Sequence, residues 1–275
     1  MQKLRFVPGS VTAIASANSV DMVVALFGAV FAGGKVTFIK SSLTEREIEK
    51  QLLKICPSIV FCDEQCAARI NAASKHLTSV KACVVFGEYD EMEQFTTFKD
   101  AAIDVFQRPQ PVDPRESLFT FYTSGTTGLP KGALITHRNY VSQVFGLISE
   151  SSLFTEADEY IGLLPFAHPL GLCILCAKLA LGHKTVAFRS LSAERFLRAV
   201  VSCKNVMLML YPTYVRHLIE TAKPEGMSLH EVRAILIGGN TMAEKLLQRL
   251  SQLFPIASIV CGEYGDFKTT HWASL

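Results

Sequence analysis

No hydrophobic run in this sequence is long enough to cross a bilayer. The most apolar stretches are residues 22–34 and 169–177, short of the roughly 20 residues a spanning helix needs. Nor is there a surplus of one charge. Twenty-seven Lys and Arg offset 25 Asp and Glu to leave +2, which argues against a nucleic-acid or polybasic membrane surface. The N-terminal MQKLRFVPGSV lacks the apolar core of a signal peptide, no Asn-x-Ser/Thr acceptor occurs, and the terminal Ala-Ser-Leu is not the Ser-Lys-Leu peroxisomal address. Both G-x-x-x-x-G-K-[ST] and G-x-G-x-x-G are missing, so kinase, GTPase and Rossmann functions lose their warrant.

Cysteine is not scarce. The eight thiols, Cys56, Cys62, Cys66, Cys83, Cys173, Cys176, Cys203 and Cys261, are scattered through apolar segments without a disulfide framework. That fits a reducing compartment, cytoplasmic or organellar, and thiols that pack in the core. Cys173 and Cys176 form a C-x-x-C, but within LGLCILCAKLAL sulfur packs as a small hydrophobe. No protein-built metal site is expected.

With 275 residues, 49% hydrophobic and 19% charged, the chain can bury a large core and is long enough for two lobes. Short β-branched runs alternate with helical-period stretches: VTAIA, 20–32, KVTFI, 45–55, SIVFC, 64–75 and VKACVVF. Thr44 and Glu47 have capping-box spacing. A second series runs YIGLL, 171–181, KTVAF, 193–203, VMLML, 213–222, VRAILI, 243–254 and IASIV. Runs without strict alternation suit parallel strands covered on both faces. The fold class is therefore α/β, two related lobes of mainly parallel sheet flanked by helices. GKVTFIKSSLTER (34–46) and HKTVAFRSLSAER (183–195) share one pattern, which internal duplication explains, as do the common needs of any αβ unit. Pro109, Pro111 and Pro114 mark residues 104–117 as a linker. The expected organisation is a first lobe over 1–103, that linker, and a second lobe over 118–275.

Straight after the linker comes LFTFYTSGTTGLPKGALITHRNYV: a strand over 118–122, a loop of hydroxyls and glycines, and a helix from about Thr136. A strand-loop-helix unit aims backbone N–H groups and a helix N-terminus at an anion. Thr123, Ser124, Thr126 and Thr127 supply four hydroxyls, Gly125, Gly128 and Gly132 allow positive φ and close approach, and Lys131 adds a charge. The bland alternative is a surface loop made of ordinary loop residues.

YTSGTTGLPKG (122–132) resembles the phosphate-loop signature of the AMP-forming adenylating enzymes: acyl-CoA synthetases, 4-coumarate-CoA ligases, peptide-synthetase adenylation domains and beetle luciferases. In the same order, LLPFAHPLGL (163–172) resembles the family's Leu-Pro-Phe-x-His-x-x-Gly segment, LIGGNTM (236–242) its Gly-Gly-Ala-Pro-Leu turn, and EYG (263–265) the start of Tyr-Gly-x-Thr-Glu. The resemblance implies ATP-dependent activation of a carboxylic acid to acyl-AMP and then acyl-CoA, with ATP, Mg²⁺ and CoA as cofactors and co-substrates. It implies that Thr123 to Gly132 hold the β- and γ-phosphates, with Thr123 and Lys131 acting in the reaction. Gly238, Gly239 and Asn240 would line the adenine, Tyr264 would stack on it with Gly265 beside it, and His168 would flank the acyl carboxylate. Tyr211 and Tyr214 would lie near the acyl group, although core packing accounts equally for Tyr214. Residues 165–172 contain no acid to face a substrate ammonium group, which favours a fatty or aryl acid over an amino acid. Ala167 before His168 removes the paired His of beetle luciferases.

The pattern breaks after Gly265. Where the family has x-Thr-Glu, this chain has Asp266, Phe267 and Lys268, losing a hydrogen-bond donor and a metal-binding carboxylate. The family's small C-terminal domain, with its catalytic Lys, finds no counterpart in the sequence. The expectation is therefore a partial AMP-binding domain of a carboxylic acid–CoA ligase, with a catalytically impaired nucleotide- or acyl-binding fragment as the alternative. The partners are small molecules in either case.

Overall fold

The computed structural model describes residues 6–100, 110–123, 131–149, 159–190, 192–222, 229–238 and 242–261. The chain divides into two compact units, one of Met1–Val141 with Ala167–Pro169, the other of Ser142–Phe166 with Leu170–Leu275.

In the first unit the elements run β1 (Val11–Ala15), α1 (Val20–Phe31), β2 (Lys35–Phe38), α2 (Glu45–Ile55), β3 (Ile59–Asp63), α3 (Glu64–Ser74), β4 (Ala82–Phe86), β5 (Glu93–Gln94), α4 (Phe95–Asp100), β6 (Ser117–Thr123) and β7 (Lys131–Thr136). They form a seven-stranded sheet in the order β5-β4-β3-β1-β2-β6-β7, parallel except for the antiparallel β6–β7 pair. Sequence chemistry sets the element ends. Thr44 and Glu47 close the expected capping box on α2, the Thr44 N–H and hydroxyl both donating to Glu47 Oε2, at 2.8 and 2.7 Å. The helices α2 and α3 bury Ile48, Leu52, Cys66 and Ile70 against Ala13, Ala15, Val60 and Cys62 of the sheet.

From α5 (His137–Ser149) the chain passes into the second unit: β8 (Glu159–Gly162), α6 (Pro169–Ala180), β9 (Thr185–Ala187), α7 (Ala193–Val201), β10 (Val206–Leu210), α8 (Pro212–Ala222), β11 (Val232–Ile237), α9 (Glu244–Leu253) and β12 (Ser258–Cys261). Its five strands are all parallel, in the order β12-β11-β10-β8-β9. Val206, Leu208 and Leu210 of β10 meet Phe196, Val215 and Leu250 in one apolar cluster. Among the described residues no helix is long and apolar enough to cross a membrane.

The two sheets share one winding. Each first strand has the second on one side and the third on the other, and the fourth and fifth continue beyond the third. The registers also correspond: Thr12 pairs with Val36 and Ile59, and Tyr160 with Thr185 and Met207. Even the turns match. After α1, Gly33 at φ 79° donates to Val30 O and Gly34 to Ala29 O; after α6, Gly182 at φ 74° donates to Leu179 O and His183 to Lys178 O. Both are Schellman turns, in which the left-handed residue is glycine because it has no Cβ to clash.

Three sequence expectations change. The chain does not divide at 104–117: β6 adds to β2 of the first sheet, and Phe38 stacks on Phe121 at 5.2 Å. Proline marked a loop there, and strand pairing placed the boundary beyond it. Second, the phosphate-loop segment does not run into a helix. Thr123 and Lys131 pair at one end of the β6–β7 ladder, and α5 begins at the far end of β7. Six residues of strand, about 20 Å, separate that helix terminus from the loop, so its dipole does not reach the loop, since that effect falls off within the first turn. Third, Gly132 is strand residue without positive φ. Its role is steric, because a Cβ there would come within 3.2 Å of Thr120 Cγ2. Elements β5 and α4 went unread in the sequence.

At the carboxyl ends of β1 and β3, where the winding reverses, buried Asp63 accepts the Ser16 hydroxyl at 3.0 Å and the Ala17 N–H at 2.7 Å. The carboxylate is thereby diverted from capping α3, where it makes no side-chain cap bond. Asp63→Ala is expected to cost about 2–3 kcal/mol, by stranding a buried N–H and losing charge-assisted bonds, with Asp63→Asn costing less. Urea unfolding of the two variants checks this.

Candidate functional site at the carboxyl edges of the sheets

Parallel strands deliver their following loops to one edge, and in open α/β sheets ligands bind outside those carboxyl ends, where the winding reverses. Thr123, Tyr211 and Gly238 lie at such strand ends, Thr123 two strands from the reversal point of its sheet. In the first unit, Thr123 ends β6 and its hydroxyl donates to Lys131 O at 3.4 Å, while Tyr122 pairs with Gly132. Burial pushes the Tyr122 phenol pKa upward. Ser124, Gly125, Thr126, Thr127 and Gly128 lie outside the described residues. His168 also belongs to the first unit, through the short segment Ala167–Pro169. It is half-buried and directly precedes α6, whose first residue, Pro169, suits the opening position because its missing N–H has no partner to lose. Burial, and then the charge of Lys40, hold the His168 imidazole below its ordinary pKa. It is therefore neutral at pH 7, with one N–H to donate and one nitrogen to accept.

The backbone leading to His168 is pinned by two glycines that sequence reading did not single out for packing. A Cβ on Gly162 would lie 2.7 Å from the buried Phe166 ring, and one on Gly171 would overlap the carbonyl oxygen of Pro165. Phe166 thus folds back over the end of β8, while Pro165 abuts the first turn of α6. A sequence shows both glycines, but neither collision, because each partner is several residues away across a turn.

In the second unit Tyr211 follows β10 and Gly238 follows β11, neighbouring strand ends linked by Gly238 N–H donating to Leu210 O at 3.2 Å. A Cβ on Gly238 would meet nothing within 4 Å. Among the described residues the backbone there faces open space, and none of them demands a glycine by packing. Tyr211 and Tyr214 meet edge to face at 5.7 Å, and Tyr214 packs against the apolar cluster. Gly239, Asn240, Tyr264 and Gly265 lie outside the described residues, as do 104–109 of the linker and 266–275. Sequence reading also missed Tyr160. Its hydroxyl is fully buried without a hydrogen-bond partner among the described residues, and burial followed by Tyr211 drives its pKa up. A lone tyrosine in a β-branched run reads as core, and only the fold reveals the orphan hydroxyl. The described residues contain no cluster of three or more His, Cys, Asp or Glu that could hold a metal ion.

The family model for AMP-binding enzymes matches residues 1–274, and the chain belongs to that family. It is 25% identical to luciferin 4-monooxygenase of Luciola mingrelica over 98% of its own length and 51% of that protein's. Against the 4-chlorobenzoate–CoA ligase of Pseudomonas sp. (strain CBS-3) it is 30% identical over 54% of this chain and 28% of the ligase. The luciferase-like enzyme of the nonluminescent mealworm Zophobas morio superposes with a TM-score of 0.83 at 27% identity, over 96% of this chain and 61% of the other. The ATP-bound MatB structure from Rhodopseudomonas palustris superposes at 0.77 with 22% identity, covering 93% and 50%, and shows the same fold. The chain spans about half the length of the curated relatives that it matches over most of its own length.

Gly171→Ala is expected to lower stability by about 1–3 kcal/mol, the usual cost of forcing atoms into a packed contact, whereas Gly238→Ala leaves it unchanged within about 0.5 kcal/mol. Thermal and urea unfolding of both variants separate the packed glycine from the open one.

Proposed function

We propose that this chain is the nucleotide- and acid-binding part of a carboxylic acid–CoA ligase. ATP and a fatty or aryl acid would combine to acyl-AMP and pyrophosphate, and acyl transfer to CoA would follow. The observation that carries this reading is the placement of YTSGTTGLPKG, which leaves the sheet at Thr123 and re-enters at its partner Lys131 on a carboxyl edge. Relatives named as 4-chlorobenzoate– and 2-succinylbenzoate–CoA ligases, and one named 4-coumarate–CoA ligase-like 3, support the reaction class and the aryl option.

In the first step a carboxylate oxygen bonds to the α-phosphorus and the bond to the bridging oxygen breaks, so pyrophosphate leaves with its electron pair. Thr123 and Lys131, with Ser124, Gly125, Thr126, Thr127, Gly128 and Gly132, hold the β- and γ-phosphates and offset the leaving charge. Neutral His168 donates its N–H to the acid's oxygen, and Tyr211 lies along the acyl group. In the second step the CoA thiol gives up its proton to solvent, its sulfur bonds to the acyl carbon, and the bond from that carbon to the phosphate oxygen breaks, so AMP leaves with the electron pair. Adenine rests on the open backbone at Gly238, continued by Gly239 and Asn240, with Tyr264 and Gly265 beside it. Mg²⁺ would accompany the ATP phosphates and offset their charge.

Phe267 and Lys268, which replace the family's Thr and Glu, favour a second reading in which the chain binds nucleotide without turning it over. ATP–pyrophosphate exchange with panels of benzoic, cinnamic and fatty acids decides. Acid-dependent exchange that falls at least about 10²-fold in Lys131→Ala, a loss typical of a transition-state charge contact, supports the ligase. Nucleotide-dependent stabilisation without exchange supports the second reading, and neither response rejects both.

A further inference from the structure

We propose that Lys40 is a second anion-contact residue of this site, holding the polyphosphate from the side opposite Lys131. The assignment rests on the ligase reading above. Strand β6 lies between β2 and β7. The β2–β6 ladder pairs Val36 with Phe119 and Thr37 with Thr120, and Phe38 stacks on Phe121. Lys40 follows the end of β2 by two residues, at the edge where β6 ends in Thr123 and Thr123 pairs with Lys131. The two lysines and the Thr123 hydroxyl thus share one carboxyl edge, all within the first unit.

The electrostatics point the same way. Lys35, at the other end of β2, is paired with Glu116 at 3.8 Å, and Lys184 with Glu159 at 3.3 Å. Among the described residues Lys40, which is exposed, forms no ion pair. Its charge nevertheless reaches the half-buried His168, and neither influence acting on that imidazole is a carboxylate. A lysine whose charge reaches an imidazole, with no acid among the influences on that imidazole, creates a local positive potential, which a polyanion relieves. Sequence gave no hint of this, because Lys40 lies 83 residues before Thr123 and reads as a solvated turn residue.

The test uses the whole chain with inorganic pyrophosphate and ATP as probes, by titration calorimetry at two salt concentrations. Lys40→Gln should weaken pyrophosphate binding about 5- to 10-fold at low salt, the scale of one exposed charge close to an anion, and flatten the salt dependence. Lys40→Arg should retain binding. Lys54→Gln, which removes the same charge from the exposed face of α2, should bind as the unmodified chain does. In the free protein the His168 imidazole pKa, read by NMR, should rise in Lys40→Gln, since a neighbouring cation is removed. Equal binding by Lys40→Gln, or an unchanged His168 titration, overturns the assignment while leaving the ligase reading intact. If the unmodified chain binds neither pyrophosphate nor ATP, both fall together.

Discussion

Parallel pairing is the constraint on which the rest of this structure depends. A chain leaving the carboxyl end of a parallel strand has to cross a sheet face before it re-enters, so every loop that follows a strand collects at one edge. Applied twice with the same winding, this rule creates two edges from one plan, and the chain has used them differently. Counting four residues from Ile59 and from Met207, the matched partners of Thr12 and Tyr160, leads to Asp63 in one sheet and Tyr211 in the other. Asp63 seals its reversal point with a buried carboxylate tied to Ser16 and Ala17. Tyr211 instead stands beside the open backbone of Gly238. One reversal point is closed by the protein's own anion, and at the other no described residue plays that part.

Close packing then fixes what the winding only places. Gly171 admits the Pro165 carbonyl where any Cβ would overlap it, Gly162 leaves room for the Phe166 ring, and Gly132 lets β7 lie against Thr120 at the mouth of the hairpin. Rigid backbone at these points favours a site whose groups are in position before a ligand arrives, which is where electrostatic stabilisation is most effective. Burial and the charge of Lys40 keep the His168 imidazole below its ordinary pKa, so at neutral pH it offers one N–H donor and one acceptor nitrogen.

Much of this was legible in the sequence, for local reasons. The Thr44–Glu47 box, the glycines that end α1 and α6, and the β-branched runs each carry their signal within a few residues, so most helices and strands fall where the pattern sets them. The motif at 122–132 carried the family. What the sequence hid is what depends on pairing over distance. Strand β7 reads as a loop entering a helix because Gly132 and the exposed Leu134 are weak strand residues without β6 beside them. The prolines near 109–114 suggested a lobe boundary, yet Phe38 and Phe121 stack across it. The orphan hydroxyl of Tyr160 and the neighbourhood of Lys40 likewise exist only once strands are in register.

The proposed binding residues lie at the carboxyl ends of the strands. Amide hydrogen exchange with and without a non-hydrolysable acyl-adenylate mimic tests binding there directly. The account predicts slowed exchange at Thr123, at Lys131 and Gly132, in the 163–168 loop and at Gly238, with unchanged exchange at the opposite strand ends, Val11, Ala82 and Val206. Protection confined to those opposite ends, or none in a folded chain saturated with the mimic, would contradict it.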